Sequence, residues 1–137
     1  MVSVYENGGT TMNKPILNEI KIIEKQNLLI IYFFGEIDTL VTQDYREKLS
    51  SLIEKKVYKN IVMDFQNVSF IDSSGIGMVF GRYSQIKRHG GNLYFTNLSK
   101  ESYQLFAMTG IFKIVEYIED QETLHKKLGE KLLEVQT

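Results

Sequence analysis

The chain contains no cysteine and no tryptophan, and it has one proline (Pro15) and two histidines (His89 and His125) among 137 residues. Without cysteine there is no disulfide framework, thiolate zinc centre, iron–sulfur cluster or thiol nucleophile. Two histidines leave too few ligands for most transition-metal sites, so no metal is expected. An excess of one charge is also missing. The 16 basic and 17 acidic side chains leave a formal net charge of −1, which exerts no long-range pull on nucleic acid or on an anionic membrane. The longest apolar run, Leu28 to Phe34, falls far short of a membrane span. No basic segment followed by an apolar one opens the chain, so export is not expected and a cytoplasmic location is.

What is present suits one α/β domain. The length is that of a single compact unit, and 43% apolar with 24% charged residues is the balance of a protein with a real core. Residues 1–14 are polar and carry Gly8-Gly9; they read as a flexible N-terminal arm or an added remnant, leaving 15–137 as the domain. Ile16 to Glu24 alternates with period two, and Leu28 to Phe34 is apolar on both faces. Together they predict an antiparallel hairpin whose second strand lies in a sheet covered on both sides and ends at Gly35.

Helices and strands then alternate. Leu40, Val41, Tyr45, Leu49, Leu52 and Ile53 fall at helical offsets behind Thr39 as N-cap. Ile61 to Phe65 reads as a short buried strand, and Val68 to Ile71 brings the chain to Asp72-Ser73-Ser74-Gly75. A second helix runs from about Ser74 to His89, with Ile76, Val79, Phe80, Tyr83 and Ile86 inward and Gly90-Gly91 as its stop. Leu93 to Thr96 is a strand, and Ser99 caps a third helix that ends before Gly110. Ile114 to Ile118 is the last strand, and Asp120 caps a closing helix with Leu124, Leu128 and Leu132. The order is β-β-α-β-α-β-α-β-α with four helices, an N-terminal antiparallel hairpin and a mainly parallel remainder.

Ligands and partners of open α/β sheets gather at the carboxyl ends of strands. Two segments stand there: Gly35-Glu36-Ile37-Asp38-Thr39 and Phe70-Ile71-Asp72-Ser73-Ser74-Gly75-Ile76-Gly77. Each places short polar residues before a helix, and Asp72 or Ser73 serves the orphan amides of a first turn with no function required. The glycines weaken that plain explanation, because Gly75, Gly77 and Gly81 each cost a helix about 1 kcal/mol relative to alanine. A buried neighbour, a docking partner or a phosphate at the helix start each accounts for them. Catalysis has little support. The Gly75-x-Gly77-x-x-x-Gly81 spacing misses the dinucleotide fingerprint, no Walker-type phosphate loop exists, and neither serine sits in a Gly-x-Ser-x-Gly elbow. Lys87-Arg88-His89 is a dipole-matched helix end, and Phe33, Phe80, Phe95 and Phe106 read as core.

With these residues in place, the segment Val68-Ser69-Phe70-Ile71-Asp72-Ser73-Ser74-Gly75-Ile76-Gly77 resembles the central motif of STAS-domain anti-anti-sigma factors. Gly35-Glu36-Ile37-Asp38 is similar to their second-strand motif. Gly81-Arg82-Tyr83-Ser84-Gln85-Ile86-Lys87 and Leu105 to Ile114 resemble the second and third helices of the sporulation branch, which antagonises anti-sigma F. That branch usually carries a histidine-containing segment where this chain has Thr39-Leu40-Val41. The resemblance implies a STAS-like mixed sheet and a protein-interaction switch without catalytic residues or cofactor. In it Ser74 is phosphorylated by an ATP-dependent anti-sigma factor serine kinase, and a PP2C-type phosphatase resets it. The unphosphorylated form binds the anti-sigma factor and frees the sigma factor. Binding would involve Asp38, Thr39, Asp72, Ser73, Gly75, Gly77 and an exposed helix face of Met78, Gly81 and Arg82. Other implied roles are a general stress-response antagonist, a nucleotide-binding STAS regulatory domain and a subunit of a transport assembly.

Overall fold

The computed structural model describes residues 3–6 and 19–129. In chain order these form β1 (Ser3–Glu6), β2 (Glu19–Lys25), β3 (Leu28–Ile37), α1 (Thr39–Lys55), β4 (Asn60–Ile71), α2 (Ser73–Arg88), β5 (Asn92–Thr96) and α3 (Lys100–Met108). A 3-10 turn (Ile111–Lys113), β6 (Glu116–Ile118) and α4 (Gln121–Leu128) follow. The strands lie in one sheet whose spatial order is the chain order, β1 to β6. The first two pairings are antiparallel and the other three parallel. The expected fold class is the observed one, with one strand more. Ser3–Glu6, within the segment read as an arm, pairs with β2 and satisfies main-chain groups that an edge strand would otherwise leave open.

β3 sets the layers. Leu29, Ile31 and Phe33 enter the larger core with Tyr45 and Leu49 of α1, Val79 and Ile86 of α2, and Phe106 of α3. Leu28 and Ile30 point the other way, into a smaller core with Val62, Ile118 and Leu124 of α4. This is why the segment is apolar without alternation: both faces are covered. Phe65 joins the larger core, stacked on Phe33 at 5.3 Å and edge-on to Phe95 at 5.2 Å. Such a buried ring contributes about 3–5 kcal/mol against alanine.

The structure moves several expected boundaries. β3 does not stop at Gly35; it passes through it at φ 84 and continues to Ile37, with register irregularities against β4 on either side. β4 is longer than the strand expected over Ile61 to Phe65 and runs on to Ile71, because the irregularity is absorbed locally: the Gln66 amide donates to Asp64 Oδ1 at 2.9 Å. Asp38, not Thr39, caps α1. Ile114 and Val115 belong to the turn before β6. Ser99 and Asp120 cap α3 and α4 as expected, accepting from Ser102 and Thr123 amides. Leu132 lies outside the described residues.

Candidate functional site

The site grows from two neighbouring strands that end together. Ile37 of β3 pairs with Ile71 of β4, and a single residue, Asp38 or Asp72, joins each strand to its helix. The Asp72 amide continues the ladder by donating to the Ile37 carbonyl at 3.2 Å. Both aspartates are extended and both cap: Asp38 Oδ1 accepts from the Leu40 amide at 3.0 Å, and Asp72 Oδ1 accepts from the Gly75 amide at 3.0 Å.

Asp72 does more than cap its own helix. Its Oδ1 accepts from the Ser74 hydroxyl at 2.6 Å. Its Oδ2 accepts from the Thr39 amide at 3.2 Å and the Thr39 hydroxyl at 3.4 Å. Thr39 Oγ1 also lies 3.3 Å from Ser74 Oγ. One carboxylate thus ties the starts of α1 and α2 together and holds Ser74 in a fixed orientation. These donors favour the ionised form, so the Asp72 pKa falls below the usual aspartate value, with the Ser74 hydroxyl contributing most and the Gly75 and Thr39 amides adding to it. A carboxylate so stabilised is a poor proton acceptor. His89 cannot serve instead, because its Nε2 is 2.8 Å from Glu54 at the opposite end of the helix pair. Among the described residues, Ser74 is a presented hydroxyl whose hydrogen-bond neighbours are Asp72 and Thr39.

The glycines divide. A Cβ at Gly75 would stand 2.5 Å from the Ile37 carbonyl oxygen and 2.8 Å from Ile71 Cγ1, so this glycine lets α2 begin against the ends of β3 and β4. A Cβ at Gly77 or Gly81 would meet nothing within 4 Å. No internal packing requires those two. Two large apolar residues flank the same corner in solvent: Leu40, 88% exposed in the first turn of α1, and Phe70, 50% exposed near the end of β4.

The structure therefore gathers Asp38, Thr39, Asp72, Ser73, Ser74 and Gly75 at one corner, with Gly77 and Gly81 opening outward along α2. It does not place Met78 and Arg82 on an exposed face. Met78 is fully buried and Arg82 only 9% exposed. With Val79, Gln85 and Ile86 they form the buried side of α2, while Ile76, Phe80 and Tyr83 pack against the core less deeply. Leu40 is one of the apolar residues at helical offsets in α1, but it falls on the opposite side from the buried Tyr45, Leu49 and Ile53, which is the signal that marks it as external. Phe70 carries no such signal, since burial at a strand end depends on what the next layer covers.

Among the described residues, no group of three His, Cys, Asp or Glu side chains could hold a metal ion. No helix among them is long and apolar enough to cross a membrane.

The sheet order and the serine that Asp72 holds at the start of α2 define a class of small α/β domains, and residues 19–130 match the STAS domain. The chain belongs to the STAS domain family. It is 30% identical over 97 residues to an anti-sigma F factor antagonist of Paenibacillus polymyxa, covering 71% of this chain and 83% of that protein. It is 32% identical over 97 residues to an anti-sigma-B factor antagonist of Bacillus subtilis (strain 168), covering 71% and 87%. The anti-sigma factor antagonist SpoIIAA in its unphosphorylated form is similar at TM-score 0.70 and 25% identity, over 81% of this chain and 97% of that one. SpoIIAA of Bacillus in the phosphorylated form gives 0.64 at 25% identity, over 78% and 97%.

Proposed function

We propose that the protein is an anti-sigma factor antagonist that acts in the cytoplasm and is switched off by phosphorylation of Ser74. The observation that carries this is the geometry of Ser74. Its hydroxyl is oriented by Asp72 at 2.6 Å on a corner where Leu40 and Phe70 are exposed and two glycines of α2 have open space. That surface offers apolar contact and close backbone approach to a docking protein, with the serine at its edge. Unphosphorylated, it binds the anti-sigma factor and releases the sigma factor. The anti-sigma factor is the serine kinase, and a PP2C-type phosphatase restores the free hydroxyl. The chain itself is substrate and ligand, not catalyst.

A phosphoryl group at Ser74 adds about −1.5 to −2 charges. Esterification also removes the proton that Ser74 gives to Asp72, so an attraction becomes a repulsion at the same two atoms. Within the chain the α2 N-terminus tolerates the charge. Against a dry partner surface, with Asp72 and Asp38 beside it, the charge weakens binding by about tenfold to a hundredfold, or roughly 1.4–2.8 kcal/mol. The backbone is expected to stay in place.

The test is incubation with an anti-sigma serine kinase and ATP, followed by location of the phosphate by mass spectrometry. Phosphate on Ser74, a Ser74→Ala variant that binds constitutively and a Ser74→Asp variant that binds weakly support the proposal. No phosphate, or phosphate elsewhere than Ser73-Ser74, removes it. Running the assay with one kinase of the anti-sigma F type and one of the anti-sigma B type assigns the pathway.

A further inference from the structure

The chain has three arginines, Arg46, Arg82 and Arg88, and all three lie on α1 and α2. Among the described residues none of them forms an ion pair, whereas Lys48, Lys56, Lys126 and Lys127 do. Arg46 Nη1 donates only to the neutral Gln43 Oε1, at 3.1 Å. Arg82 is the unusual one. Its side chain is 9% exposed, and its Nε and Nη1 are buried without a hydrogen-bond acceptor. It stands on the row of α2 between Met78 and Gln85, the row that faces α1, since Gln85 Nε2 donates to the Ser50 carbonyl at 2.9 Å.

A guanidinium with two buried nitrogens left without acceptors is costly, and an apolar side chain of similar length would serve the fold better. Burial, followed by the nearby Arg46 and Arg88 guanidiniums, disfavours the charged form and lowers the Arg82 pKa. Arginine nonetheless stays protonated, so the charge is stored rather than lost. On the outward side of the same helix, Gly77 and Gly81 have open space. Gly77 and Gly81 immediately precede Met78 and Arg82, so a partner approaching the helix backbone there lies beside the Arg82 position.

We propose that Arg82, with Arg46 as its neighbour, is a carboxylate-pairing site: an acidic side chain of a protein docked on α2 draws the Arg82 guanidinium out of the α1–α2 seam and is held by both arginines. Fork-shaped guanidinium donors match a carboxylate in two parallel bonds. The inference rests on the docking role of α2 proposed above, but not on phosphorylation. The binding half of the switch would then be sensed at Arg82 and the release half at Ser74.

With only three arginines, the Nε–H region of an NMR spectrum of the intact, ¹⁵N-labelled protein holds three signals, which Arg→Lys variants assign. A hexaglutamate peptide is titrated in, with sodium chloride at matched ionic strength and inorganic phosphate as separate arms. The expected result is a saturable shift of the Arg82 and Arg46 signals with the peptide and not with chloride. Arg82→Met should weaken peptide binding by about tenfold or more while its melting temperature stays equal or rises. Absence of a saturable shift overturns the proposal. So does an Arg82→Met variant that melts lower and binds the peptide unchanged, because Arg82 would then be structural. Phosphate saturating the same signals at lower concentration than the peptide also overturns it, in favour of a phosphate site. Phosphate transfer to Ser74 without any Arg82 response would remove this inference and leave the switch standing. An Arg82 response without transfer would do the reverse.

Discussion

Asp38 and Asp72 occupy the same place in two adjacent strand–helix units, yet they do different amounts of work. Asp38 caps α1 through the Leu40 amide and leaves the neighbouring helix alone. Asp72 caps α2 and reaches across to the backbone and hydroxyl of Thr39 while holding the Ser74 hydroxyl. The difference teaches that a capping residue becomes part of a switch when its second oxygen is turned toward another element. A local stabiliser then couples two helices and presents a modifiable group between them. The glycines of α2 show a parallel division, one wedged against the sheet and two facing outward.

The largest effect should separate those glycines. Gly75→Ala forces a methyl to 2.5 Å from the Ile37 carbonyl oxygen and should destabilise the domain by about 1–3 kcal/mol. Gly77→Ala and Gly81→Ala should each stabilise it by about 0.5–1 kcal/mol while impairing partner binding. Urea unfolding of the three variants decides; equal effects would break the division. Asp72→Ala should cost about 1–2 kcal/mol and Asp38→Ala nearer 1 kcal/mol, and a reversed order would remove the distinction between the two caps.

A subtler variant isolates the cross-helix arm. Thr39 is the first residue of α1 and follows an extended Asp38, so proline is compatible there. Thr39→Pro deletes both donors to Asp72 Oδ2 and should cost about 1 kcal/mol, with α1 intact by circular dichroism. Finally, the sign of the pH effect is fixed by the lowered pKa of Asp72. The contribution of Asp72 is present above its unfolded pKa and is lost as pH falls through the folded value. Phosphorylation of Ser74 removes the main cause of that lowering and adds a like charge, so the Asp72 carboxyl should titrate at higher pH in the phosphorylated protein. Carboxyl-carbon NMR in the two forms measures it; an unchanged or lower midpoint contradicts the proposed atomic contact.

Much of the fold was legible because it is written in periodicity. Leu28 to Phe34 announced a strand covered on both faces, and Ser99 and Asp120 announced helix starts by their chemistry. Gly35 misled, since a positive φ inside a continuing strand and a chain break look alike in sequence. Ile114 and Val115 have strand-like side chains, but the chain must first complete the turn through Gly110 at φ 81 and Ile111–Lys113. At the site, Asp72 was legible as a cap before a helix and Gly75 as an early helix glycine, whereas Ser74 was singled out only by the resemblance of its segment to the STAS motif. That Asp72 also reaches Thr39 depends on the Ile37–Ile71 register, which no local pattern encodes. An outward Met78 and Arg82 follows from an inward stripe centred on Ile76, Phe80 and Tyr83, whereas the buried side of α2 is turned toward Met78, Arg82 and Gln85; a guanidinium at a buried position runs against the ordinary rule for charge.

The spatial order of the strands, which repeats their order in the chain, bears on how the molecule comes into being. No strand waits for a distant segment to arrive, so each pairing closes a loop no longer than one crossover, and short loops are quick to close. As the chain emerges from the ribosome, β3 and β4 can pair and α2 can settle before α3, β6 and α4 exist. The corner that carries Ser74 belongs to the part synthesised first, and the later elements extend a scaffold on which the switch already has its shape.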